Sequence, residues 1–110
     1  MASRSWMLLA LALCPCVANA ELPAERQAEL RHMLAHDCGS CHGLRLTGGL
    51  GPALTATTLA GKGSLELAAI IRHGLPGTPM PPWKALLNDE EARWLADFMK
   101  AGSGDGSTVP

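Results

Sequence analysis

The run Cys38-Gly39-Ser40-Cys41-His42 constrains this chain more than any other feature. The C-x-x-C-H spacing is that of c-type haem attachment, in which each thiol forms a thioether with one haem vinyl group and the histidine ligates the iron. The sequence therefore predicts one haem c, attached covalently through Cys38 and Cys41 and ligated by His42. The cofactor would carry the chemistry, and the polypeptide would hold and tune it.

The first twenty residues have the pattern of an export signal. Arg4 provides a positive charge, an apolar stretch runs from Trp6 to Val17, and Ala18-Asn19-Ala20 matches a small-residue cleavage site. We expect cleavage after Ala20 and a periplasmic product. An uncleaved anchor is the alternative, but the apolar stretch is shorter than the roughly 20 residues that span a membrane, so no stable membrane anchor is expected.

Cleavage would leave two of the four cysteines, because Cys14 and Cys16 lie in the signal. The remaining pair is Cys38 and Cys41, so no structural disulfide is expected. Closely spaced free thiols oxidise in an exported protein, and haem attachment accounts for their presence. Loss of Arg4 leaves eight basic against ten acidic residues, a net charge of minus two, which argues against nucleic acid as a partner.

The mature chain divides into one small domain, residues 21–100, and a Gly- and Ser-rich tail, 101–110, predicted to be disordered. A polypeptide core is marginal at this size. A buried porphyrin would supply much of the missing apolar surface. A loop as long as 43–63 is also unusual in so small a domain unless it wraps a ligand.

The pattern predicts an all-α fold of three to four short helices around the haem, since no stretch has the alternation of a strand. A first helix should run from about Pro23 to Asp37, and one helical turn should cover Thr57 to Ala60. Ser64 is the predicted N-cap of a helix over Leu65 to His73, with Leu65, Ala68, Ala69 and Ile70 or Ile71 as its apolar stripe. The last helix should begin after Asn88, with Glu91 completing a capping box and Leu95, Phe98 and Met99 facing the core.

Pro52 is the candidate acceptor for the second ring nitrogen of His42. A ligating imidazole usually donates its other N–H to a fixed acceptor. Ten residues after His42, Gly51 permits close backbone approach and Pro52 offers a carbonyl on a stiff backbone.

Met80 is the predicted sixth ligand of the iron. Pro79, Pro81 and Pro82 surround it, and proline stiffens a loop, so the weakly binding thioether would lose little entropy on ligation. His73 is a competing candidate for the sixth ligand. It lies at a predicted helix C-terminus, however, and we favour capping of that helix over ligation of the iron. His32 and His36, one turn apart, are expected to be solvated. Arg45, Lys62, Arg72 and Lys84 are candidate propionate partners or rim charges for docking, and the sequence does not choose between these roles. Trp83 is expected to pack in the core, with an indole hydrogen bond to a propionate as the alternative.

The C-x-x-C-H run, Gly51-Pro52-Ala53-Leu54 and the Met80 loop occur in an order that resembles the class I cytochromes c. The resemblance implies a small α-domain whose first and last helices cross, with His and Met on the iron. Residues 37–54 and 76–83 resemble more narrowly the NirC family, the small periplasmic cytochromes encoded with cytochrome cd nitrite reductase. This implies electron transfer to that reductase in denitrification, or a part in maturing its d-type haem, and does not decide between them.

The sequence thus favours a one-electron carrier over an enzyme, because two protein ligands would exclude substrate from the iron. We expect a monomer that docks transiently with redox proteins through Leu44, Leu46, Pro81 and Pro82. Two other classes stay open. If Met80 were labile, the open position would suit a haem enzyme or sensor; a thiol oxidoreductase would use Cys38 and Cys41 but requires a strand and helix alternation that the sequence lacks.

Overall fold

The computed structural model describes residues 21–102. The predicted export signal and residues 103–110 of the predicted tail lie outside that range. The described chain contains five α-helices: α1 (Ala24–Met33), α2 (Gly39–His42), α3 (Ala56–Leu59), α4 (Ser64–His73) and α5 (Asp89–Lys100). A π-helical segment, Leu34–Cys38, joins α1 to α2. Residues 21–102 contain no strand and no helix long and apolar enough to cross a membrane, and the all-α prediction is confirmed.

The last helix forms as its sequence predicts. The Asn88 side chain accepts a hydrogen bond from the Glu91 N–H at 2.8 Å, and the Glu91 carboxylate accepts one from the Asn88 N–H at 3.0 Å. This reciprocal capping box satisfies two backbone donors at the helix start. Beyond it, α5 buries Leu95 and Met99 in the core, while the rings of Trp94 and Phe98 stack at its edge.

Helix α4 packs against α5, but two predictions about it are wrong. Its N-cap is Gly63, and the hydroxyl of Ser64 instead donates to the carboxylate of Asp97 on α5. Leu65 is 69% exposed, and the buried positions are Leu67 and Ala68. Apolar residues cover more than half of this helix, so periodicity alone could not select the buried face.

The first and last helices contact one another through Arg26. Its guanidinium donates to the carboxylate of Glu91, to that of Glu29 at 2.7 Å, and to the Leu86 carbonyl at 3.0 Å. The hydrogen bond from Arg26 is the main reason why the pKa of Glu91 lies below its ordinary value. Because Glu91 also belongs to the capping box, one carboxylate both starts α5 and holds α1 against it.

One hydrophobic cluster connects the helices with the long loop. Its buried members come from α1, the π-helical segment, the loop after α2, α3 to α5 and the segment just before α5: Leu30, Leu34, Leu46, Leu59, Leu67, Leu87, Leu95, Ala96 and Met99. Cys38 and Trp83 pack against this cluster from its edge. The core therefore lies directly beside the segment that carries the two thiols.

Candidate haem site

The C-x-x-C-H run lies on helical backbone. Cys38 ends the π-helical segment, and Cys41 and His42 belong to α2. The predicted first helix was expected to end at Asp37 but continues through this segment to His42. Residues three apart lie on one side of a helix, so both thiols can reach one ligand, with His42 in the next position. π-Helical turns often occur at functional sites, and nothing in the sequence signalled this one.

The imidazole of His42 has a fixed orientation. Its Nδ1 lies 2.6 Å from the carbonyl oxygen of Pro52, the contact that the sequence predicted. A carbonyl can only accept, so Nδ1 carries the proton and donates. Nε2 is then the nitrogen with a lone pair for a metal, which is the arrangement expected of a ligating histidine.

The loop after α2 folds back over the end of that helix. The N–H of Gly51 donates to the Cys41 carbonyl, and that of Gly48 to the His42 carbonyl, each at 2.8 Å. These bonds satisfy helix carbonyls that would otherwise lack partners. Gly43, with φ +94°, makes the reversal possible.

Two glycines lie so close to this helix end that a side chain would not fit. A Cβ at Gly51 would lie 2.7 Å from the His42 ring, and one at Gly49 would lie 2.6 Å from the Cys41 carbonyl oxygen. The close approach at Gly51 was predicted from the sequence. The requirement at Gly49 was missed, because it depends on how the loop returns to α2.

Met80 is carried by a separate loop that begins at the C-terminus of α4. Gly74, with φ +71°, ends the helix, and the Leu75 N–H donates to the Met80 carbonyl at 3.2 Å. The chain after the prolines then returns to α4, where the N–H groups of Trp83 and Lys84 donate to the carbonyls of Ile71 and Arg72 at 3.1 Å each. The loop is therefore fixed at both ends.

A covalently attached haem fits these residues. Two thiols lie on adjoining helical segments, an imidazole beside them presents Nε2, and a thioether lies on a separate, anchored loop. The backbone clamps the imidazole closely enough that no side chain could replace Gly51 without displacing the ring. Cys38, Cys41, His42 and Pro52 form one local group, and Met80 belongs to a different part of the fold.

Comparison with known proteins places the chain in a family. The family model described as "Cytochrome C oxidase, cbb3-type, subunit III" matches residues 25–99. The chain belongs to the cytochrome c family. It is related to NirC, and such a domain carries covalently bound haem c and transfers electrons.

Relatives of this cytochrome share most of its length. "Cytochrome c55X" of Pseudomonas aeruginosa is 54% identical over 88% of the chain and 84% of the relative, and that of Paracoccus denitrificans is 55% identical over 69% and 74%. Among solved structures, "c-type cytochrome NirC" is 54% identical with a TM-score of 0.73, covering 81% of this chain and 100% of that one. "Dihydro-heme d1 dehydrogenase NirN in complex with DHE" is 29% identical with a TM-score of 0.58, covering 63% of this chain but 15% of the dehydrogenase.

The Cys38 thiol of this cytochrome does not have the character of an attacking redox cysteine. Burial, reinforced by the carboxylate of Asp37, raises the pKa of the Cys38 thiol to about 11. Thiol oxidoreductases instead lower the pKa of the attacking cysteine, often at a helix N-terminus. Cys38 lies inside continuous helical backbone, so its surroundings disfavour the thiol oxidoreductase interpretation.

The candidate propionate partners differ in their surroundings. Arg72 donates to the Leu87 carbonyl at 3.1 Å and to the Asp89 carboxylate at 2.5 Å, so it fastens the start of α5 to α4. Lys62 lies 3.9 Å from Glu66 at the surface. Arg45 and Lys84 are exposed, and Trp83 is partly buried against the core.

The remaining histidines of the cytochrome lie at the surface. His32, His36 and His73 are all exposed. The rings of His32 and His36 are 4.2 Å apart, yet residues 21–102 contain no group of three or more His, Cys, Asp or Glu side chains arranged to hold a metal ion. Their predicted placement as solvated helix positions is confirmed.

Proposed function

We propose that this cytochrome carries a single haem c, which Cys38 and Cys41 would hold through thioethers and whose iron His42 and Met80 would ligate. The hydrogen bond from His42 Nδ1 to the Pro52 carbonyl is the observation that supports this assignment best, because it leaves Nε2 for the iron. Haem supplies a metal centre that gains and loses one electron. The polypeptide fixes the imidazole, holds the thiols on adjoining helical segments and keeps the thioether loop anchored.

Ligation by both His42 and Met80 would suit an electron carrier better than an enzyme. Two protein ligands would leave no open position for a substrate, and the haem would supply one-electron chemistry only. The Met80 loop supports this role because its backbone is hydrogen-bonded to α4 and Leu75. A His and Met ligand pair also raises the reduction potential relative to two histidines.

Carbon monoxide tests the coordination directly. We expect the ferrous protein to bind it poorly and the ferric protein to show a sulfur-to-iron charge-transfer band. Met80→Ala should bind carbon monoxide readily and lose the band. Ready binding by the unmodified protein, with no such band, would instead favour an open-site haem enzyme or sensor.

We infer that the carrier works in the periplasm during denitrification and donates electrons to cytochrome cd nitrite reductase. The support is the identity of more than half of the aligned residues with NirC and the cytochromes c55X. Docking would be transient and made by a monomer. Leu44, 80% exposed, and Pro81 and Pro82, also exposed, are available for contact, whereas Leu46 is 1% exposed and the prediction that it docks is wrong.

A second candidate role is supported by the similarity to part of NirN. That protein is named as a dehydrogenase of dihydro-haem d1. A dehydrogenation releases electrons, and a one-electron carrier could accept them one at a time. This cytochrome would then serve d-type haem maturation as an electron acceptor.

Rapid mixing separates the two roles. The ferrous cytochrome is mixed with cytochrome cd nitrite reductase and nitrite, and the ferric form with the dehydrogenase and dihydro-haem d1, while the haem spectrum is followed. Fast oxidation in the first mixture supports the donor role, and fast reduction in the second supports the maturation role. Rates no greater than those without the enzyme would contradict both.

The docking surface can be tested in the same assay. Leu44→Glu places a charge beside the haem-binding run and should slow the productive reaction roughly fivefold, corresponding to about 1 kcal/mol at a contributing contact. Leu65→Glu is the matched control, because Leu65 is similarly exposed but lies on α4. Equal rates for both variants and the parent would exclude Leu44 from the interface.

A further inference from the structure

The segment that leads to Met80 begins with a tight turn. Leu75, Pro76, Gly77 and Thr78 form it, with the Thr78 N–H donating to the Leu75 carbonyl at 3.1 Å. Gly77 has φ +79°, and a proline followed by a glycine of positive φ is the composition of a type II turn. The turn fixes the position of Thr78. The orientation of Met80, two residues later, depends on other contacts.

The hydroxyl of Thr78 supplies such contacts. It donates to the Leu75 carbonyl at 2.6 Å and accepts from the Met80 N–H at 3.3 Å. The Met80 carbonyl in turn accepts from the Leu75 N–H at 3.2 Å. Both backbone polar groups of Met80 are therefore tied to this turn, and Thr78 contributes the side chain that does so.

The neighbouring prolines cannot replace these bonds. Pro79 and Pro81 fix their own φ angles and lack an N–H, so they stiffen the chain without making a cross-link. Met80 is the residue between them with an N–H, and Thr78 accepts from it. A hydrogen bond at this point restricts how Met80 can rotate relative to the turn.

We propose that Thr78 is a positioning residue for Met80, and that its hydroxyl strengthens thioether ligation by holding the loop in the ligating conformation. This inference rests on the proposed ligand role of Met80. A thioether binds iron weakly, so its occupancy depends on how much freedom the loop loses on ligation, and a loop ordered in advance loses less. The hydroxyl stabilises the ligated state if its two hydrogen bonds break when Met80 leaves the iron.

Competition with imidazole measures this contribution in the haem-containing protein. Imidazole binds ferric iron only where Met80 has left, so its apparent affinity rises as Met80 ligation weakens. Thr78→Val keeps the shape of the side chain and removes both hydrogen bonds, and we expect roughly tenfold tighter imidazole binding. Thr78→Ser retains the hydroxyl and should remain near the parent value.

The control is Thr57→Val, since Thr57 lies exposed on α3 and its hydroxyl makes no hydrogen bond within residues 21–102. Thr78→Ala provides a second variant if Thr78→Val fails to mature. Alanine also removes the hydroxyl and both of its hydrogen bonds, and we again expect tighter imidazole binding.

The outcomes separate this inference from the ligand assignment on which it rests. If the parent shows no sulfur-to-iron charge-transfer band, Met80 is not the ligand and both fail. If the parent shows the band but Thr78→Val matches Thr57→Val in imidazole affinity, the role of Thr78 alone is overturned. Equal weakening in Thr78→Val and Thr78→Ser would also overturn it, because the hydroxyl would then not be the cause.

Discussion

At the scale of single residues, the site depends on a missing side chain as much as on those present. Gly51 lets the backbone lie against the imidazole of His42, and the Pro52 carbonyl then accepts a hydrogen bond from Nδ1. The order Gly-Pro, ten residues after the histidine, predicted this contact. Gly49 lies equally close to the Cys41 carbonyl. No sequence spacing predicts this contact, because it depends on the path of the loop.

Gly51→Ala tests the clamp on His42. The added Cβ would lie 2.7 Å from the ring, so either the imidazole or the loop must shift, at a cost of about 1–3 kcal/mol in the free energy of unfolding. Denaturant unfolding of the haem-containing protein measures this cost. Gly61→Ala is the control, because a Cβ there meets nothing within 4 Å. Equal stability of both variants would show that the clamp is loose.

At the scale of helices, sequence patterns predicted a capping hydrogen bond correctly where both of its residues lie in one short segment. Asn88 and Glu91 are three residues apart, and the capping box that they predict is present. Ser64 was a plausible cap, yet its hydroxyl bonds to Asp97 on another helix, which no local pattern reveals. The π-helical turn at Leu34–Cys38 likewise had no recognisable signature, so the first helix was predicted to end too early.

Loss of the cap should weaken α5 by a measurable amount. Asn88→Ala removes the acceptor for the Glu91 N–H, and we expect the free energy of unfolding to fall by about 1 kcal/mol. Glu90→Ala changes an exposed position in the same turn and serves as the control. A loss no larger than that of the control would mean that packing against α4 alone sets the start of the helix.

Glu91 gives the cytochrome a defined acid sensitivity. Its pKa lies below the ordinary 4.5, mainly because Arg26 donates a hydrogen bond to its carboxylate. The resulting stabilisation is fully present above pH 4.5 and is lost as the pH falls through the lowered folded-state pKa. Glu91→Gln should therefore be less stable than the parent at neutral pH, with a difference that shrinks in acid. A difference independent of pH would contradict this origin.

At the scale of the whole molecule, the polypeptide core is small and lies beside the haem-binding run. Length and helix periodicity predicted an all-α domain that needs an additional apolar partner, and the hydrophobic cluster within residues 21–102, which reaches Cys38, agrees with this picture. The paths of the loop after α2 and of the Met80 loop were not predictable from the sequence. They depend on backbone hydrogen bonds such as those from Gly48 to His42 and from Leu75 to Met80.

The protein without haem should accordingly fail to fold cooperatively. Replacement of both Cys38 and Cys41 by alanine prevents attachment, and we expect little cooperative thermal unfolding by far-ultraviolet circular dichroism. The parent, produced with a competent haem-attachment system, should unfold in one transition. A cooperative transition in the double variant near that of the parent would show that the core is sufficient alone.

The most direct test of the central claim is the pyridine haemochrome spectrum of the purified, exported protein, scaled to protein concentration. Attachment through both Cys38 and Cys41 predicts one haem per chain, with the spectrum of a porphyrin whose two vinyl groups are both saturated. A colourless protein, or a haem spectrum with an unsaturated vinyl group, would contradict the account.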